Sequence, residues 1–402
     1  MAKKRIFAGL DIGGNGVKMI IIQQAGENDN FQIIAHCQES CSGLRRGVVI
    51  NIQEVSEAIM SCVKQSEGQL SRKIRSVSVN INGSHIFLTA SHGLVSVSRA
   101  DRKISQEDIN RVMHAAEVFQ LPLNKEVLDI FPKEFIVDGE KDIKDPLGME
   151  GVRLEANVLA LGCLTPYVKN LTEAVSEAGL QADNIVASPI AAARAVLTQR
   201  ERELGVAVLD IGSSTTGLAV FEEENLVHAA VLPLGSFNIT KDIAIVLRID
   251  IDTAERIKIE HGSCIWKGSK KKEKTKKESL LEGQPISKKN LVDIIEARVS
   301  EIFEQTNKEL KKVSRHGLLP AGIVLTGGGA KLPKIIDLAR RELKVPCRIG
   351  LPKGFLPPQE DPSLVTACGL ALYGFDMENI SSLTGHNNLF NKAKKLFNVF
   401  IP

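Results

Sequence analysis

The chain has 402 residues and a formal net charge of +3, from 51 Lys and Arg against 48 Asp and Glu. This length exceeds what one hydrophobic core supports, so we expect two or more subdomains. The composition, 43% hydrophobic and 25% charged, is that of a globular protein and excludes general disorder. The small net charge and the 4% aromatic content argue against a nucleic-acid partner, and no apolar run is long enough to predict a membrane span.

Seven cysteines are spread along the chain without a CxxC pair or a His at zinc-ligand spacing. We therefore expect reduced, mostly packed thiols in a cytosolic protein. The apolar stretch near the N-terminus breaks at Asp11, and the sequence does not predict a signal peptide there.

Two similar segments, IFAGLDIGGNGVKMIII at 6–22 and VAVLDIGSSTTGLAVF at 206–221, form an internal repeat. Each predicts a β-hairpin, because two strand-forming apolar runs flank a polar glycine turn. Asp11 and Asp210 occupy equivalent positions near the ends of the first strands. The repeat therefore predicts two related lobes.

Between the repeats, apolar residues recur at helical spacing over 53–67 and 166–179, whereas 74–81 and 155–161 have the pattern of strands. Residues 85–163 interrupt this order with a strand, a helix and a strand of their own. We interpret them as an inserted subdomain.

After the second repeat, 240–260 and 288–313 show long helical patterns. IVLTGGGAKLPKI at 323–335 predicts a strand, a glycine turn and the start of a helix. Residues 267–277 hold seven Lys and one Glu. Such a charge run indicates a solvated loop, with contact to an anionic surface or a partner as the alternative.

The two repeated glycine turns have the composition of a phosphate-binding site. A strand that ends in an acid, followed by a glycine turn, directs backbone N–H groups toward an anion, and the acid can hold a hydrated divalent metal. Two such turns, one in each lobe, could hold a polyphosphate from both sides. Asn15 and Lys18 add a donor and a positive charge to the first turn. The second turn adds the hydroxyl groups of Ser213, Ser214, Thr215 and Thr216.

Gly327, Gly328 and Gly329 follow an apolar strand and form a third glycine turn. Such a turn is as often structural as functional when it stands alone. Its spacing does not match the GxGxxG pattern, and the chain has no GxxxxGK[ST] motif. A nucleotide would therefore be bound by another design.

Together, segments 8–18, 208–217 and 323–335 resemble the phosphate-one, phosphate-two and adenosine motifs of the actin/sugar-kinase/heat-shock-chaperone ATPase superfamily. The resemblance implies an α/β, two-lobed actin-like ATPase fold in which each lobe is a mixed sheet with flanking helices. It also implies ATP and Mg2+ as ligands.

Within this superfamily, the sequence closely resembles the FtsA family of bacterial division proteins. The segments that carry this resemblance are 127–158, which looks like the family's extra subdomain, 233–262, 294–303 and 363–374. The resemblance implies an adaptor that anchors FtsZ filaments to the cytoplasmic face of the bacterial inner membrane at the division site. Self-association into filaments and recruitment of later division proteins are implied with it.

The resemblance also implies roles for individual residues. Asp11 and Asp210 would face the phosphates and hold Mg2+ through water, and Asp210 would be the candidate catalytic residue. Glu255 and Lys258, one helical turn apart, match an ExxK pair that reaches the ribose; without the resemblance, the pair indicates a surface salt bridge. The full set implied to bind ATP is Asp11, Gly13, Gly14, Asn15, Lys18, Gly212, Ser213, Ser214, Thr215, Gly235, Ser236, Glu255, Lys258, Gly327, Gly328 and Gly329.

The sequence departs from the family pattern in both phosphate turns. The lysine of the first turn, Lys18, stands two positions later than usual, and Gly217 stands where the second turn usually ends in an acid. One carboxylate is lost by this change. We therefore expect ATP binding with at most slow hydrolysis.

Arg298 and Glu301 lie one helical turn apart in EARVSEIF. By resemblance, both positions match residues that receive the C-terminal peptide of FtsZ. The alternative is an intrahelical ion pair, which contributes only a few tenths of a kcal/mol.

Residues 387–402, NNLFNKAKKLFNVFIP, place their large apolar side chains in one arc of a helical wheel with lysines on its borders. The pattern predicts a helix that lies in the surface of an anionic membrane. A terminal helix docked on the protein's own core is the alternative. The residues expected to meet the membrane are Leu389, Phe390, Lys392, Lys394, Leu396, Phe397 and Phe400.

Two rival functions share this fold class. A small-molecule kinase would need a catalytic Asp base in a substrate cleft, and an actin-like adaptor of pilus or secretion machinery would bind ATP without an FtsZ peptide. The expected organisation is a first actin-like lobe at 1–84 and 164–203, an inserted FtsA-type subdomain at 85–163, a second lobe at 204–239 and 318–375, a nucleotide- and FtsZ-contacting subdomain at 240–317, a linker at 376–386 and the amphipathic helix at 387–402.

Overall fold

The structure is a computed structural model, and it describes residues 5–25, 30–117, 122–266, 280–281, 284–285, 287–315 and 317–384. The lysine-rich segment 267–277 and the expected membrane helix at 387–402 lie outside the described residues.

The first part of the chain forms strands around one long helix. Its elements are β1 (Ile6–Gly13), β2 (Gly16–Gln24), β3 (Phe31–Glu39), β4 (Leu44–Arg45), β5 (Val48–Val49), α1 (Ile52–Leu70) and β6 (Ser76–Ile81). Helix α1 begins where the Asn51 side chain accepts a hydrogen bond from the Glu54 backbone N–H.

The next segment is mostly antiparallel sheet, and it is followed by three helices and a strand. Its elements are β7 (Phe87–Ser96), α2 (Gln106–Glu117), β8 (Lys125–Val137), β9 (Glu140–Ile143), β10 (Arg153–Leu164), α3 (Thr165–Glu177), β11 (Gln181–Ala187), α4 (Ser188–Val196) and α5 (Gln199–Leu204). Strands β7, β10, β8 and β9 form a separate four-stranded sheet in that order, and α2 packs against it. The inserted segment therefore has a core of its own.

The second half repeats the hairpin and adds longer helices. Its elements are β12 (Val206–Ile211), β13 (Thr216–Glu222), β14 (Asn225–Leu232), α6 (Ser236–Leu247), α7 (Ile251–His261), β15 (Leu280–Leu281), β16 (Gln284–Pro285), α8 (Lys288–Lys312), β17 (Ile323–Thr326), a 3-10 helix (Gly328–Lys331), α9 (Ile335–Leu343), β18 (Cys347–Ile349), a second 3-10 helix (Pro362–Leu364) and α10 (Val365–Thr384).

The two main sheets have the same topology. The first has the strand order β11-β6-β1-β2-β3, and the second has the order β18-β17-β12-β13-β14. In each, a central strand pairs antiparallel with the next strand of its hairpin and parallel with a later strand on its other side. The central strands are apolar on both faces, as expected where helices cover both sides of a sheet. The two-lobed mixed-sheet fold expected from the repeat is confirmed.

Helix α10 packs on the first lobe through contacts that only glycine permits. A Cβ at Gly9 of β1 would lie 2.2 Å from the Ala367 carbonyl oxygen, and a Cβ at Gly369 would lie 1.8 Å from the Ala191 carbonyl oxygen of α4. These backbones therefore pack directly on one another. The contacts fix the first turn of α10 near the polar ends of both hairpins.

Two features differ from the sequence-based expectation. The helical pattern at 240–260 is two helices, because Arg248 adopts a left-handed conformation with φ of 55° and the Asp250 side chain caps a new helix at Thr253 N. Helix α10 continues to Thr384, so most of the expected linker at 376–386 is helical. An ion pair between Arg194 and Asp376, 2.6 Å long, ties this part of α10 to α4.

Candidate functional site

A cavity of about 720 Å3 lies where the two hairpin turns and the third glycine turn meet. All of the residues implied to bind ATP line it, except Ser214 and Gly235. Ligand pockets of a few hundred to a thousand Å3 accommodate molecules of nucleotide size. The structure thus brings together residues that lie more than three hundred positions apart in sequence.

The first hairpin carries a buried acid beside a lysine. Asp11 and Lys18 are cross-strand partners in the β1–β2 register. The Asn80 side-chain amide donates to Asp11 Oδ1 over 2.8 Å, and Lys18 Nζ donates to the Ser363 carbonyl oxygen over 2.7 Å. Burial raises the pKa of Asp11, although the nearby Lys18 charge and the Asn80 hydrogen bond oppose the shift.

The second hairpin carries an acid without a lysine. Burial first, and then the charge of Asp11, raises the pKa of Asp210 to about 6. The Thr366 hydroxyl of α10 donates to Asp210 Oδ2 over 2.9 Å. The cross-strand partner of Asp210 is Gly217, and a Cβ there would lie 3.2 Å from Pro189 Cβ. Position 217 is equivalent to Lys18 of the first hairpin, and helix α4 occupies the space that a side chain at this position would need.

Ser214 and Gly235 support the cavity from behind rather than lining it. A Cβ at Gly14 would lie 2.3 Å from Ser214 Oγ, so the tips of the two hairpins touch. A Cβ at Gly235 would lie 2.3 Å from the Ser213 carbonyl oxygen. The residue after Gly235, Ser236, begins α6 and donates its N–H to the Gly212 carbonyl oxygen over 2.8 Å.

The third glycine turn lies against the second hairpin. Gly327 has φ of 82°, and a Cβ there would lie 2.4 Å from Asp210 Oδ1. A Cβ at Gly329 would lie 2.4 Å from Ile211 Cγ2. Glycine is therefore required at both positions by close approach to β12, and at Gly327 also by its backbone conformation.

Glu255 and Lys258 are not an ordinary surface pair. Lys258 is only 6% exposed, and its Nζ donates to Glu255 Oε2 over 2.7 Å and to Thr240 Oγ1 over 2.8 Å. Burial lowers the pKa of Lys258, and the Glu255 partner opposes the shift. The lysine thus fixes the glutamate at the cavity wall.

Sequence reasoning missed several lining residues, among them Gln38, Asn82, Ser188, Lys331, Asp361 and Thr366. Asn82 connects the lobes, because its side-chain amide donates to Thr215 Oγ1 over 3.0 Å. No local pattern marks this residue. Asp361 could have been found, since an acid followed by Pro and Ser before an apolar run is a helix-start signal.

Arg298 and Glu301 lie outside this cavity, in contact with a neighbouring helix. Arg298 of α8 donates from Nε and Nη2 to the two carboxylate oxygens of Asp242 of α6, over 2.6 and 2.9 Å. Arg298 Nη1 also donates to Glu301 Oε2. The hydrogen bonds that Arg298 donates to Asp242 raise the pKa of Arg298. The intrahelical pair is therefore present, but the Asp242 partner was not visible in the sequence.

Two solved structures resemble the fold. One is described as the PilM-PilN type IV pilus biogenesis complex, with a TM-score of 0.65 at 21% identity, covering 92% of this chain and 99% of that chain. The other is MreB5 of Spiroplasma citri bound to ADP, with a TM-score of 0.55 at 13% identity, covering 95% of this chain and 99% of that chain. At these identities the likeness concerns the fold alone. The duplicated sheets and the cavity between the glycine turns define an actin-like fold.

Sequence comparison then gives the family. The family described as cell division protein FtsA matches residues 207–369, and the SHS2 domain inserted in FtsA matches residues 83–161. Cell division protein FtsA of Pseudomonas aeruginosa is 33% identical over 380 residues, covering 93% of this chain and 90% of that protein. FtsA of Bacillus subtilis is 35% identical over 372 residues, covering 92% and 83%. The chain belongs to the FtsA family of cell-division proteins.

These relatives favour a division protein over the two rival functions.

Among the described residues, no helix combines the length and apolarity needed to cross a bilayer. In the same part of the chain, no group of three or more His, Cys, Asp or Glu side chains is placed to hold a metal.

Proposed function

We propose that this FtsA-family protein binds ATP with Mg2+ in the cavity between its lobes. The observation that carries the proposal is the convergence of three glycine turns, two acids and Lys18 on one cavity of about 720 Å3. Backbone N–H groups of the turns and the Lys18 ammonium suit a polyphosphate. The third turn, with Gly327, Gly328 and Gly329, would lie against adenine, and Glu255 would accept hydrogen bonds from ribose hydroxyls.

The donors fit magnesium. Asp11 and Asp210 supply hard carboxylate oxygens at the point where the two turns meet, and Mg2+ in nucleotide sites takes one or two carboxylates together with phosphate oxygens and water. Magnesium bound there would neutralise phosphate charge. Asn80 and Thr366 hold the two carboxylates in place.

We expect slow hydrolysis at this site. Position 217 lacks a carboxylate, and Pro189 leaves little room for a side chain there. Asp210 is the acid of the second hairpin that lines the cavity, and it is the candidate catalytic residue. The fold would position the nucleotide, but position 217 would supply no second acid to activate a water molecule.

Titration calorimetry with ATP, with and without Mg2+, tests the binding proposal. We expect binding that Mg2+ strengthens, and Asp11→Asn should remove most of the Mg2+ effect. Asp337→Ala, which removes a surface carboxylate paired with Lys334 over 3.8 Å, is the matched control. A wild-type protein with no affinity at millimolar ATP and Mg2+ would contradict the proposal, and rapid steady-state phosphate release would contradict slow hydrolysis.

The second part of the proposal concerns FtsZ. Arg298 and Glu301 would receive the C-terminal peptide of FtsZ on the surface formed by α6 and α8. Arg298 already has a carboxylate partner in Asp242, so a carboxylate of the peptide would compete for a guanidinium that is already oriented. The contact would then depend on charge and on salt concentration.

A matched pair of arginines tests this assignment. Arg298→Ala should weaken binding of an FtsZ C-terminal peptide about tenfold or more, as expected for a charge-assisted contact. Arg341→Ala removes another arginine that pairs with α8, at Glu296 over 2.6 Å, and should leave peptide binding unchanged. Equal effects of the two variants would show that Arg298 acts only through helix packing.

The third part concerns the membrane. Residues 387–402 would form a helix that lies on anionic lipids, so the protein would act at the cytoplasmic face of the inner membrane and anchor FtsZ there. Filaments of the protein would strengthen this attachment by multivalency, and the protein would recruit later division proteins there.

Co-sedimentation with anionic liposomes tests the tail. Deletion of 387–402 should release the protein, because the apolar arc and the lysines are removed together. A tail of the same composition, reordered so that its apolar residues do not share a face, is the matched control and should also fail to bind. Retention of the deletion variant would exclude the tail as the anchor.

A further inference from the structure

The turn at 361–363 touches three parts of the cavity that are distant in sequence. The Asp361 carboxylate accepts hydrogen bonds from Ser363 N over 2.8 Å and from Ser363 Oγ over 2.7 Å. Its other oxygen accepts from Lys331 Nζ over 2.7 Å. Asp361 therefore fixes the backbone that follows it and also binds the third glycine turn.

The same turn holds the lysine of the first hairpin. Lys18 Nζ donates to the Ser363 carbonyl oxygen over 2.7 Å. The Pro362 carbonyl oxygen accepts from Gly327 N over 3.0 Å and from Thr326 Oγ1 over 3.1 Å. A backbone carbonyl has no side chain of its own to orient it, so its direction depends on the cap that Asp361 provides.

We propose that Asp361 is a positioning residue of the nucleotide site. By capping the turn at Ser363, Asp361 orients the Ser363 carbonyl, and this carbonyl holds the Lys18 ammonium beside the first glycine turn. This inference rests on the proposed nucleotide function. The long lysine side chain loses rotamer freedom through this contact before a ligand arrives, which lowers the ordering cost at binding. Asp361 thus acts on the phosphates through Lys18 and not by direct contact.

Three variants separate the possible roles of Asp361. Asp361→Ala removes the cap and the ion pair. Asp361→Asn keeps an acceptor oxygen for Ser363 but removes the charge that binds Lys331. Lys331→Met removes the ion pair alone. We expect about a tenfold loss of ATP affinity for Asp361→Ala, and losses of less than about twofold for the other two.

Adenosine binding and a double-mutant cycle distinguish positioning of Lys18 from a general contribution of Asp361 to the fold. Adenosine lacks phosphates, so its affinity, measured by displacement of a fluorescent adenine nucleotide, should change by less than twofold in Asp361→Ala. In a Lys18→Met background, Asp361→Ala should cause no further loss of ATP affinity, because the residue acts through Lys18.

Several outcomes would overturn the proposal. These are equal losses of ATP and adenosine affinity, additive losses in the double variant, or an Asp361→Asn variant as weak as Asp361→Ala. If Asp361→Ala does not fold, Ser363→Ala removes one of the two cap bonds and should show the same pattern with about a threefold loss. A wild-type protein that binds no ATP would overturn the nucleotide function itself, and that result precedes and is distinct from any result with the variants.

Discussion

The two hairpins share one backbone design and differ in chemistry. Asp11 and Asp210 take the same place in equivalent registers, but the residue opposite Asp11 is Lys18 and the residue opposite Asp210 is Gly217. The first hairpin therefore contains its own counter-charge, whereas the second presents hydroxyl groups and an acid whose pKa is raised to about 6.

Neighbouring elements explain this difference. Helix α4 packs over the second hairpin, and Pro189 fills the space beside Gly217. Over the first hairpin, the turn at Ser363 leaves room for a lysine and supplies a carbonyl oxygen to bind it. The duplicated topology thus fixes where the acids stand, and the packing around each hairpin decides which charges accompany them.

The largest expected effect concerns Asp210, the acid that has no lysine opposite it in its hairpin. Because the pKa of Asp210 is raised from 3.8 to about 6, the folded protein binds this proton more tightly than the unfolded chain does. The stability that Asp210 contributes is present below pH 3.8 and is lost as the pH rises through about 6. Two pH units correspond to about 3 kcal/mol.

Asp210→Asn should therefore raise the free energy of unfolding by up to about 3 kcal/mol at pH 8 without magnesium, and should weaken Mg2+-dependent nucleotide binding. Urea denaturation from pH 4 to pH 8 in EDTA measures the first effect. Asp11→Asn should stabilise less, because Lys18 already compensates Asp11. A larger increase in the free energy of unfolding for Asp11→Asn than for Asp210→Asn would contradict this prediction.

A second prediction concerns the contact between the hairpin tips. Gly14→Ala places a methyl group 2.3 Å from Ser214 Oγ and should lower the free energy of unfolding by about 2 kcal/mol. Gly14→Ala with Ser214→Gly should recover at least half of the loss. Gly68→Ala is the control, because nothing lies within 4 Å of that Cβ in α1, and it should not destabilise. A loss in Gly14→Ala that Ser214→Gly does not reduce would place the strain elsewhere.

The smallest effect is expected at the bond that joins the second hairpin to the first lobe. Thr215→Val removes the acceptor of the Asn82 amide and should lower the free energy of unfolding by about 1 kcal/mol. Thr215→Ser keeps the hydroxyl and should stay within a few tenths of a kcal/mol of the wild type. Guanidinium titration distinguishes the two, and equal losses would contradict the assignment of the effect to the hydroxyl alone.

The glycine turns and the two acids were predictable because their chemistry is local. The repeat around Asp11 and Asp210 gave the lobes, and the spacing of Glu255 and Lys258 placed both on one helix face. Asn82 and Asp361 were not among the predicted site residues. Asn82 meets Thr215 only through tertiary packing, and Asp361 reaches Lys18 only through the backbone carbonyl of Ser363. Asp242 was missed for the same reason, since its arginine partner lies 56 positions away.

Helix α10 runs from the cavity to the start of the C-terminal segment. Its first turn contacts Asp210 through Thr366, its first two turns pack against Gly9 of β1 and, at Gly369, against α4, and its later part is bound by Arg194. A helix of 20 residues spans about 30 Å, so its end lies far from the cavity. If the first turn tilted, the end of the helix at Thr384 would move farther than the first turn does, because Thr384 lies farther from the contacts at Gly9 and Gly369. The chain that leads to the C-terminal segment starts from that point.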